Sequence, residues 1–159
     1  MKKVFSILLL VVILTSSVVM LAGCKKKIAK TTKREITENI EETIANIKSD
    51  VVISGRIDGG ELMGTITYYV NYNDSKLYVH EVETKVPLKD GPLPVISTTH
   101  VSLVEYTLSD DDMKELKEFI ESENEKREGA KYTIRKGNQS YQIKESGKFE
   151  ELMRKIRNV

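Results

Sequence analysis

Apolar and polar residues alternate along the middle of the chain, which is the pattern of half-buried strands. The alternation is clearest over residues 64–72 and 76–85, and the turn residues Asn73-Asp74-Ser75 separate the two stretches. We therefore expect two adjacent strands that pair antiparallel. In the first strand, one face carries Ile66, Tyr68, Val70 and Tyr72. In the second, Tyr78, His80, Val82 and Thr84 point one way, and Leu77, Val79, Glu81 and Glu83 point the other way. Further strands are predicted over 51–57, 95–108, 132–135 and 140–144. Along 95–108 the apolar phase shifts, which predicts a bend or a bulge.

Helical spacing predicts three helices. Over residues 33–48, Ile36, Ile40, Ile44 and Ile47 recur at helical intervals, and Thr32 with Glu35 fits a capping box. A second helix is expected after Ser109, because Asp110, Asp111 and Asp112 suit the positive end of a helix dipole. A third is expected from Ser146. The apolar faces of the second and third helices are Met113, Leu116, Phe119 and Ile120, and Phe149, Leu152, Met153 and Ile156.

The resulting order is helix, four strands, helix, two strands, helix. Strands that follow each other through short turns favour antiparallel pairing. The chain is therefore predicted to be an α+β protein with a curved antiparallel sheet and helices packed on one face.

The N-terminal residues have the three parts of a secretory signal peptide. Lys2 and Lys3 are followed by an apolar stretch from Val4 to Met20, and small residues come next. The alternative is an uncut transmembrane anchor, because 4–22 is close to the roughly 20 residues that span a bilayer. Serine and threonine residues inside the stretch weaken that alternative.

The end of this segment, Leu21-Ala22-Gly23-Cys24, resembles the lipobox of bacterial lipoproteins. The resemblance covers residues 1–24 only. It implies that Cys24 receives a diacylglyceryl group, that cleavage occurs before Cys24, and that the acylated cysteine becomes the mature N-terminus. Such an anchor would hold the mature chain firmly on the outer side of the cell membrane.

Charged residues are distributed unevenly along the remaining chain. Residues 25–34 carry six basic side chains and no acid, whereas residues 35–159 carry 17 basic and 24 acidic side chains, a net charge of −7. We expect a signal peptide over 1–23, a lipidated Cys24 with a basic stem over 24–34, and a single domain over 35–159. The stem suits anionic lipid headgroups. An acidic domain argues against nucleic acid as a partner.

Candidate chemistry is sparse. The sequence shows no nucleophile motif such as Gly-x-Ser-x-Gly, so we expect no enzyme and no cofactor. His80 and His100 could meet across strands and bind a metal with Glu81 or Glu105, but ordinary strand histidines are the favoured interpretation. Helix capping is likewise favoured over a calcium site at 110–112.

Aromatic residues on the sheet and one loop are the candidate binding surfaces. The candidates are Tyr68, Tyr69, Tyr72 and Tyr78 on the strands, and Leu93 in the proline-rich loop 87–94. For the tyrosines, the alternative is half-buried packing on the sheet. For the loop, the alternative is a plain connector between strands. The functional hypothesis is a non-enzymatic lipoprotein of the cell envelope that binds a protein partner at the membrane surface. The alternative is a carrier or sensor that holds a small apolar ligand between sheet and helices.

Overall fold

The computed structural model describes residues 27–59, 62–85, 97–123, 131–144 and 146–158. Within these ranges the chain forms one antiparallel sheet and three helices. The elements are β1 (Thr32–Ile36), α1 (Ile40–Asn46), β2 (Val51–Gly59), β3 (Leu62–Asn71), β4 (Lys76–Lys85), β5 (Thr98–Thr107), α2 (Asp110–Ser122), β6 (Tyr132–Lys136), β7 (Gln139–Gln142) and α3 (Ser146–Arg157).

The sheet order is β1-β5-β4-β3-β2-β6-β7, and each neighbouring pair is antiparallel. Strands β2 to β5 form a meander. After β5 the chain continues through α2 to the opposite edge of the sheet. There β6 and β7 pair as a hairpin, and β6 lies beside β2. The prediction of an α+β protein with a curved antiparallel sheet is confirmed.

One face of the sheet, here called the core face, packs against α2 and α3. Phe149 of α3 is fully buried, and its ring lies 5.3 Å from that of Tyr68 and 4.9 Å from that of Tyr132. The predicted apolar faces of both helices are buried except for Phe119, which is half-buried. Fully buried residues fill the space between the layers: Ile53, Val70, Leu77, Leu108, Leu116, Ile120, Ile134 and Ile156.

The first helix, predicted over residues 33–48, is wrong outside Ile40–Asn46. Residues Thr32–Ile36 form strand β1, which pairs with β5 from Thr32 opposite Thr107 to Ile36 opposite Leu103. The helix is only Ile40–Asn46, and it starts after Asn39, which has left-handed backbone angles and no side-chain cap bond. The capping box at Thr32 and Glu35 therefore does not form, because strand pairing with β5 satisfies the backbone there instead.

The predicted bulge in the fourth strand of the meander is also wrong. The register between β4 and β5 runs without interruption from Lys76 opposite Thr107 to Lys85 opposite Thr98. The shift in apolar phase has another explanation. Tyr106 is buried on the core face, while Leu103 is 1% exposed on the opposite face. A regular strand therefore buries apolar residues on both sides.

The two ends of the sheet differ in what they carry. The near end, as we call it, holds the start of β1, the turn 72–75 and the start of α2; the far end holds the ends of β2 and β4 and the start of β5. Because β1 belongs to the sheet, the part of the basic stretch from residue 32 onward lies in the folded domain rather than in a stem.

Candidate functional site

The face of the sheet opposite α2 and α3, here called the open face, is the candidate site. Strand alternation places every second residue of β2 to β5 on it. Its floor consists of Val52, Ser54 and Arg56 of β2, Met63, Thr65, Thr67 and Tyr69 of β3, Tyr78, His80, Val82 and Thr84 of β4, and Thr99, Val101, Leu103 and Glu105 of β5. These positions come from four strands of one meander, so their spacing is fixed by the ladder.

An aromatic pair lies in the near half of the open face. Tyr69 and Tyr78 stand directly opposite each other on β3 and β4, and both are half-buried. Directly opposite residues on one face of an antiparallel pair have their Cβ atoms about 5 Å apart. Val52 flanks the pair on one side and Glu105 on the other. The pair therefore presents an amphipathic strip across four strands.

Charged groups hold Tyr78 in place. The Nζ atom of Lys76 lies 3.1 Å from Oε1 of Glu105 and 5.9 Å from the centre of the Tyr78 ring. Burial, followed by the hydrogen bond with Glu105, raises the pKa of Tyr78 above its ordinary value. The phenol is consequently a neutral hydrogen-bonding group at physiological pH.

The far half of the open face is more exposed than the near half, and two of its exposed side chains are apolar. Val101 of β5 is 43% exposed and Met63 of β3 is 57% exposed. Val82 lies directly between Thr65 and Val101 in the ladder. Exposed apolar side chains gathered on one surface are typical of interaction sites.

A polar cleft borders the near half of the open face. Its volume is about 720 Å³, and α1 with its flanking residues forms one wall. Tyr78 lines it together with Ile36, Thr43, Ile47 and Asn71. Asn71 is 9% exposed and donates from Nδ2 to the carbonyl of Lys48 and to Oδ2 of Asp74, both at 3.0 Å. The bond to Lys48 fixes the chain after α1 to the near end, so the cleft wall is anchored.

The two histidines lie on opposite faces of the sheet. His80 is on the open face between Thr67 and Leu103, where burial lowers its pKa. His100 is opposite Glu83, on the core-face side of β5. They cannot share a ligand, so the metal site considered for His80 and His100 is not formed. Among the described residues, no group of three histidine, cysteine or acidic side chains is placed to hold a metal ion.

Ser109 caps α2, and the acidic residues 110–112 form its first turn, as predicted. The backbone N–H of Asp112 donates to Oγ of Ser109 at 3.1 Å. One carboxylate oxygen of Asp112, Oδ2, accepts from the hydroxyls of Thr31 and Ser109, and the other, Oδ1, lies 3.3 Å from Nζ of Lys155. Both oxygens of Asp112 are thus engaged by protein groups.

The structure separates the tyrosines that sequence grouped as a possible binding surface. Tyr68 is 3% exposed on the core face, and burial raises the pKa of its phenol. Tyr72 follows β3 and packs against the core, burial raises its pKa to about 12, and Nζ of Lys117 lies 5.4 Å from its ring. Only Tyr69 and Tyr78 come together. Leu93 and the loop 87–94 lie outside the described residues.

Two ion pairs on the core-face side were not anticipated from sequence. Nη2 of Arg157 donates to Oε1 of Glu81 at 2.7 Å, and Nζ of Lys131 donates to Oε1 of Glu150 at 2.6 Å. Glu81 lies on the same face of β4 as the buried Leu77 and Val79. A carboxylate among core-facing positions was the feature of the sequence that could have indicated an ion pair. A cleft of about 660 Å³ lies beside these pairs, between the sheet and α3.

Comparison with known proteins gives no relative for this chain. No family model, no curated protein and no solved structure matches it. Within the part of the chain that the structure describes, none of the helices has the length and apolar character needed to cross a membrane. Function therefore has to be argued from the residues themselves.

Proposed function

We propose that the chain is a non-enzymatic lipoprotein of the cell envelope that binds a partner protein through the open face of its sheet. The anchoring half of the proposal rests on Leu21-Ala22-Gly23-Cys24 at the end of an apolar segment and on the basic residues that follow. Two or more acyl chains give stable membrane attachment. The proposal assigns the protein a lipid-anchored position outside the cytoplasm.

One contrast between the two sheet faces carries the binding half of the proposal. Helices α2 and α3 fill the core face, whereas no helix among the described residues covers the far half of the open face. Met63 and Val101 remain 57% and 43% exposed there, and the half-buried Tyr69–Tyr78 pair lies farther along the same face toward the near end. Aromatic residues and methionine are enriched in protein interfaces, and a partner would remove this apolar surface from water.

The occupant we propose is the surface of a folded envelope protein rather than a small molecule. The Tyr69–Tyr78 strip and the Met63–Val101 region lie on four neighbouring strands, so together they form a broad, shallow surface. Small-molecule sites are concave and enclose most of their ligand. A broad surface with phenols and exposed aliphatic groups fits the apolar centre of a protein interface.

Photo-crosslinking from single positions tests the binding half. A photoreactive amino acid at Val101 or Met63 should give one discrete crosslinked species in intact membranes. The matched control is Lys114, which is exposed on α2 on the other side of the sheet. Identical adducts from all three positions, or none from Val101 and Met63, would count against the open face as the binding surface.

Cys24→Ala tests the anchoring half separately. The variant should lose metabolic lipid labelling and accumulate uncleaved or away from the membrane, because the thiol that accepts the lipid is gone. A matched variant, Ser17→Ala in the same N-terminal segment, should be labelled and processed normally. Unchanged labelling of the Cys24→Ala protein would remove the lipoprotein assignment.

A small-ligand carrier is the second candidate, and the cleft of about 660 Å³ beside α3 is the observation that favours it. Apolar side chains such as Ile57 and Ile66 line part of it, but Glu81, Glu83, Glu150 and Arg157 charge its walls. The filled layer between sheet and helices supports partner binding instead. Native mass spectrometry of the detergent-solubilised protein distinguishes the two, since a carrier would retain additional small-molecule mass.

A further inference from the structure

The chain enters the folded domain through a fixed contact with the start of α2. The backbone N–H of Asp110 donates to the carbonyl of Ile28 at 2.9 Å. Thr31 is 4% exposed; its hydroxyl donates to Oδ2 of Asp112 at 2.5 Å and accepts from the N–H of Ser109 at 2.7 Å. We call these five residues (Ile28, Thr31, Ser109, Asp110 and Asp112) the Thr31 clasp. It fixes the entry point of the chain at the near end of the sheet.

The clasp leaves little chain between the domain and a lipid on Cys24. Only four residue steps separate Cys24 from Ile28. An extended chain covers at most about 3.6 Å per residue, so the tether spans roughly 14 Å at most. Strand β5 runs nine steps from Thr107 at the near end to Thr98 at the far end, which is about 30 Å at the strand rise. The far end thus lies well beyond the length of the tether.

Charge at the entry point suits a lipid surface. Lys25, Lys26, Lys27 and Lys30 surround the tether, and no acidic residue precedes Glu35 in the chain. Lys27 and Lys30 are exposed. Basic residues next to a membrane anchor are attracted to anionic headgroups. These lysines therefore draw the chain entry toward the lipid to which Cys24 is attached, against the exposed Asp110 and Asp111 at the start of α2.

We propose that the Thr31 clasp makes the near end of the sheet the membrane-facing end, so that the far half of the open face points away from the lipid. This inference rests on the lipid anchor of the proposed function and specifies how that anchor presents the domain. The exposed Met63 and Val101 would then be accessible to a protein that approaches from the side opposite the membrane. The near end faces the lipid surface, and the partner protein binds toward the far end.

Energy transfer from two single labels to acceptor lipids measures this orientation. Cys24 is the only cysteine and its thiol carries the lipid in the mature protein, so an introduced cysteine is a unique labelling site. Asn73→Cys marks the near end and Thr98→Cys the far end, and both positions are exposed. In vesicles of phosphatidylglycerol and phosphatidylcholine, transfer from position 73 should exceed transfer from position 98 by about twofold, given the span of the strands.

Two further variants isolate the short tether and the clasp. A flexible insert of about ten Gly and Ser residues between Lys26 and Lys27 adds roughly 17 Å of reach and should reduce the contrast between the two labels. Thr31→Val removes the hydroxyl at nearly constant shape and should reduce the contrast in the same direction. Thr32→Val, at the exposed neighbouring position, is the matched control and should preserve it.

The possible failures are distinguishable. Equal transfer from both labels, or more from position 98, with lipid present on Cys24, would overturn the orientation and leave the lipoprotein assignment intact. A mass spectrum without lipid on Cys24 would overturn the anchor and the orientation together. A contrast that persists unchanged with the flexible insert would overturn the role of the short tether.

Discussion

Arg157, in the last turn of α3, donates from Nη2 to Oε1 of Glu81 on β4 at 2.7 Å, across 76 positions of sequence. The guanidinium is about one-third exposed and the carboxylate about one-fifth exposed. The phenol of Tyr68 is an electrostatic neighbour of this guanidinium, and Tyr68 and Glu81 both lie on the core face of the sheet. Burial alone would lower the pKa of Arg157, but the Glu81 carboxylate outweighs it, so the pKa is raised and the guanidinium stays charged.

Arg157→Met should destabilise the domain by about 1–2 kcal/mol, because it leaves the partly buried Glu81 carboxylate without its charged donor. Urea unfolding of the two proteins measures the difference. Arg154→Met, at an exposed position three residues earlier on α3, is the control and should shift the midpoint little. An Arg157→Met midpoint equal to that of the control would mean that the ion pair contributes no net stability.

Asp112 should make stability depend on pH below its ordinary pKa. Partial burial alone would raise the pKa of Asp112, but hydrogen bonds from Thr31 and Ser109 and the Lys155 ammonium outweigh it and lower the pKa from 3.8. A lowered folded-state pKa stabilises the fold above the unfolded value, and that contribution is lost as pH falls through the folded value. The stability difference between wild type and Asp112→Asn should therefore shrink as pH falls below about 4.

Unfolding free energies of both proteins between pH 2 and 6 test this pH dependence. Asp111→Asn is the matched control, because Asp111 is exposed in the same helical turn. Its difference from wild type should change less over the same range. A constant gap between wild type and Asp112→Asn across the range would contradict the assignment.

Gly55 is predicted to tolerate no side chain. It is buried on β2 opposite Tyr132 of β6, and a Cβ atom there would collide with the Tyr132 ring. That ring already packs edge-on against Phe149, so it has little freedom to move. Gly55→Ala should cost about 1–3 kcal/mol, as other overpacked core sites do.

Gly59→Ala is the matched control for Gly55, because a Cβ atom at Gly59 would meet open space at the end of the same strand. Thermal unfolding of both variants gives the comparison. Loss of stability in Gly59→Ala equal to that in Gly55→Ala would point to a general strand effect and not to the collision with Tyr132.

Leu103 and Val101 should respond differently to truncation although they share one strand and one face. Leu103 is 1% exposed and lies opposite Ile36 of β1, whereas Val101 is 43% exposed. Leu103→Ala should cost about 2–5 kcal/mol as a buried leucine. Val101→Ala should cost under about 1 kcal/mol, because most surface substitutions have small effects.

Chemical denaturation of the two alanine variants checks this contrast. Equal losses would contradict the division of the open face into a near half that belongs to the fold and an exposed far half. The Val101→Ala protein should stay folded, so it can also be used in binding experiments.

Much of the sheet could be predicted because its signals are local. The hairpin of β3 and β4 follows from alternation on both sides of Asn73-Asp74-Ser75, and its register brings Tyr69 opposite Tyr78. The faces of α2 and α3 follow from helical spacing, and Ser109 caps α2 as predicted. In each case the residues that decide the conformation are neighbours in sequence.

The binding candidates were harder to predict, because strand alternation cannot tell which face receives the helices. Tyr68 and Tyr69 are adjacent in sequence and equally aromatic. The passage of the chain through α2 from β5 to β6 covers one face, which buries Tyr68 and leaves Tyr69 half-exposed. That outcome depends on packing between distant elements.

The sequence alone determined the antiparallel meander, the two amphipathic helices and the lipobox-like end of the N-terminal segment. Each depends on a pattern of residue types within fewer than about 20 consecutive residues. Only the tertiary structure decided that residues 32–36 form a strand. Their apolar spacing continues that of α1, but β5 offers an unpaired edge, and pairing satisfies backbone groups that the edge would otherwise leave open. Tertiary pairing overrode local spacing there, and it placed the chain entry, through Thr31, at the start of α2.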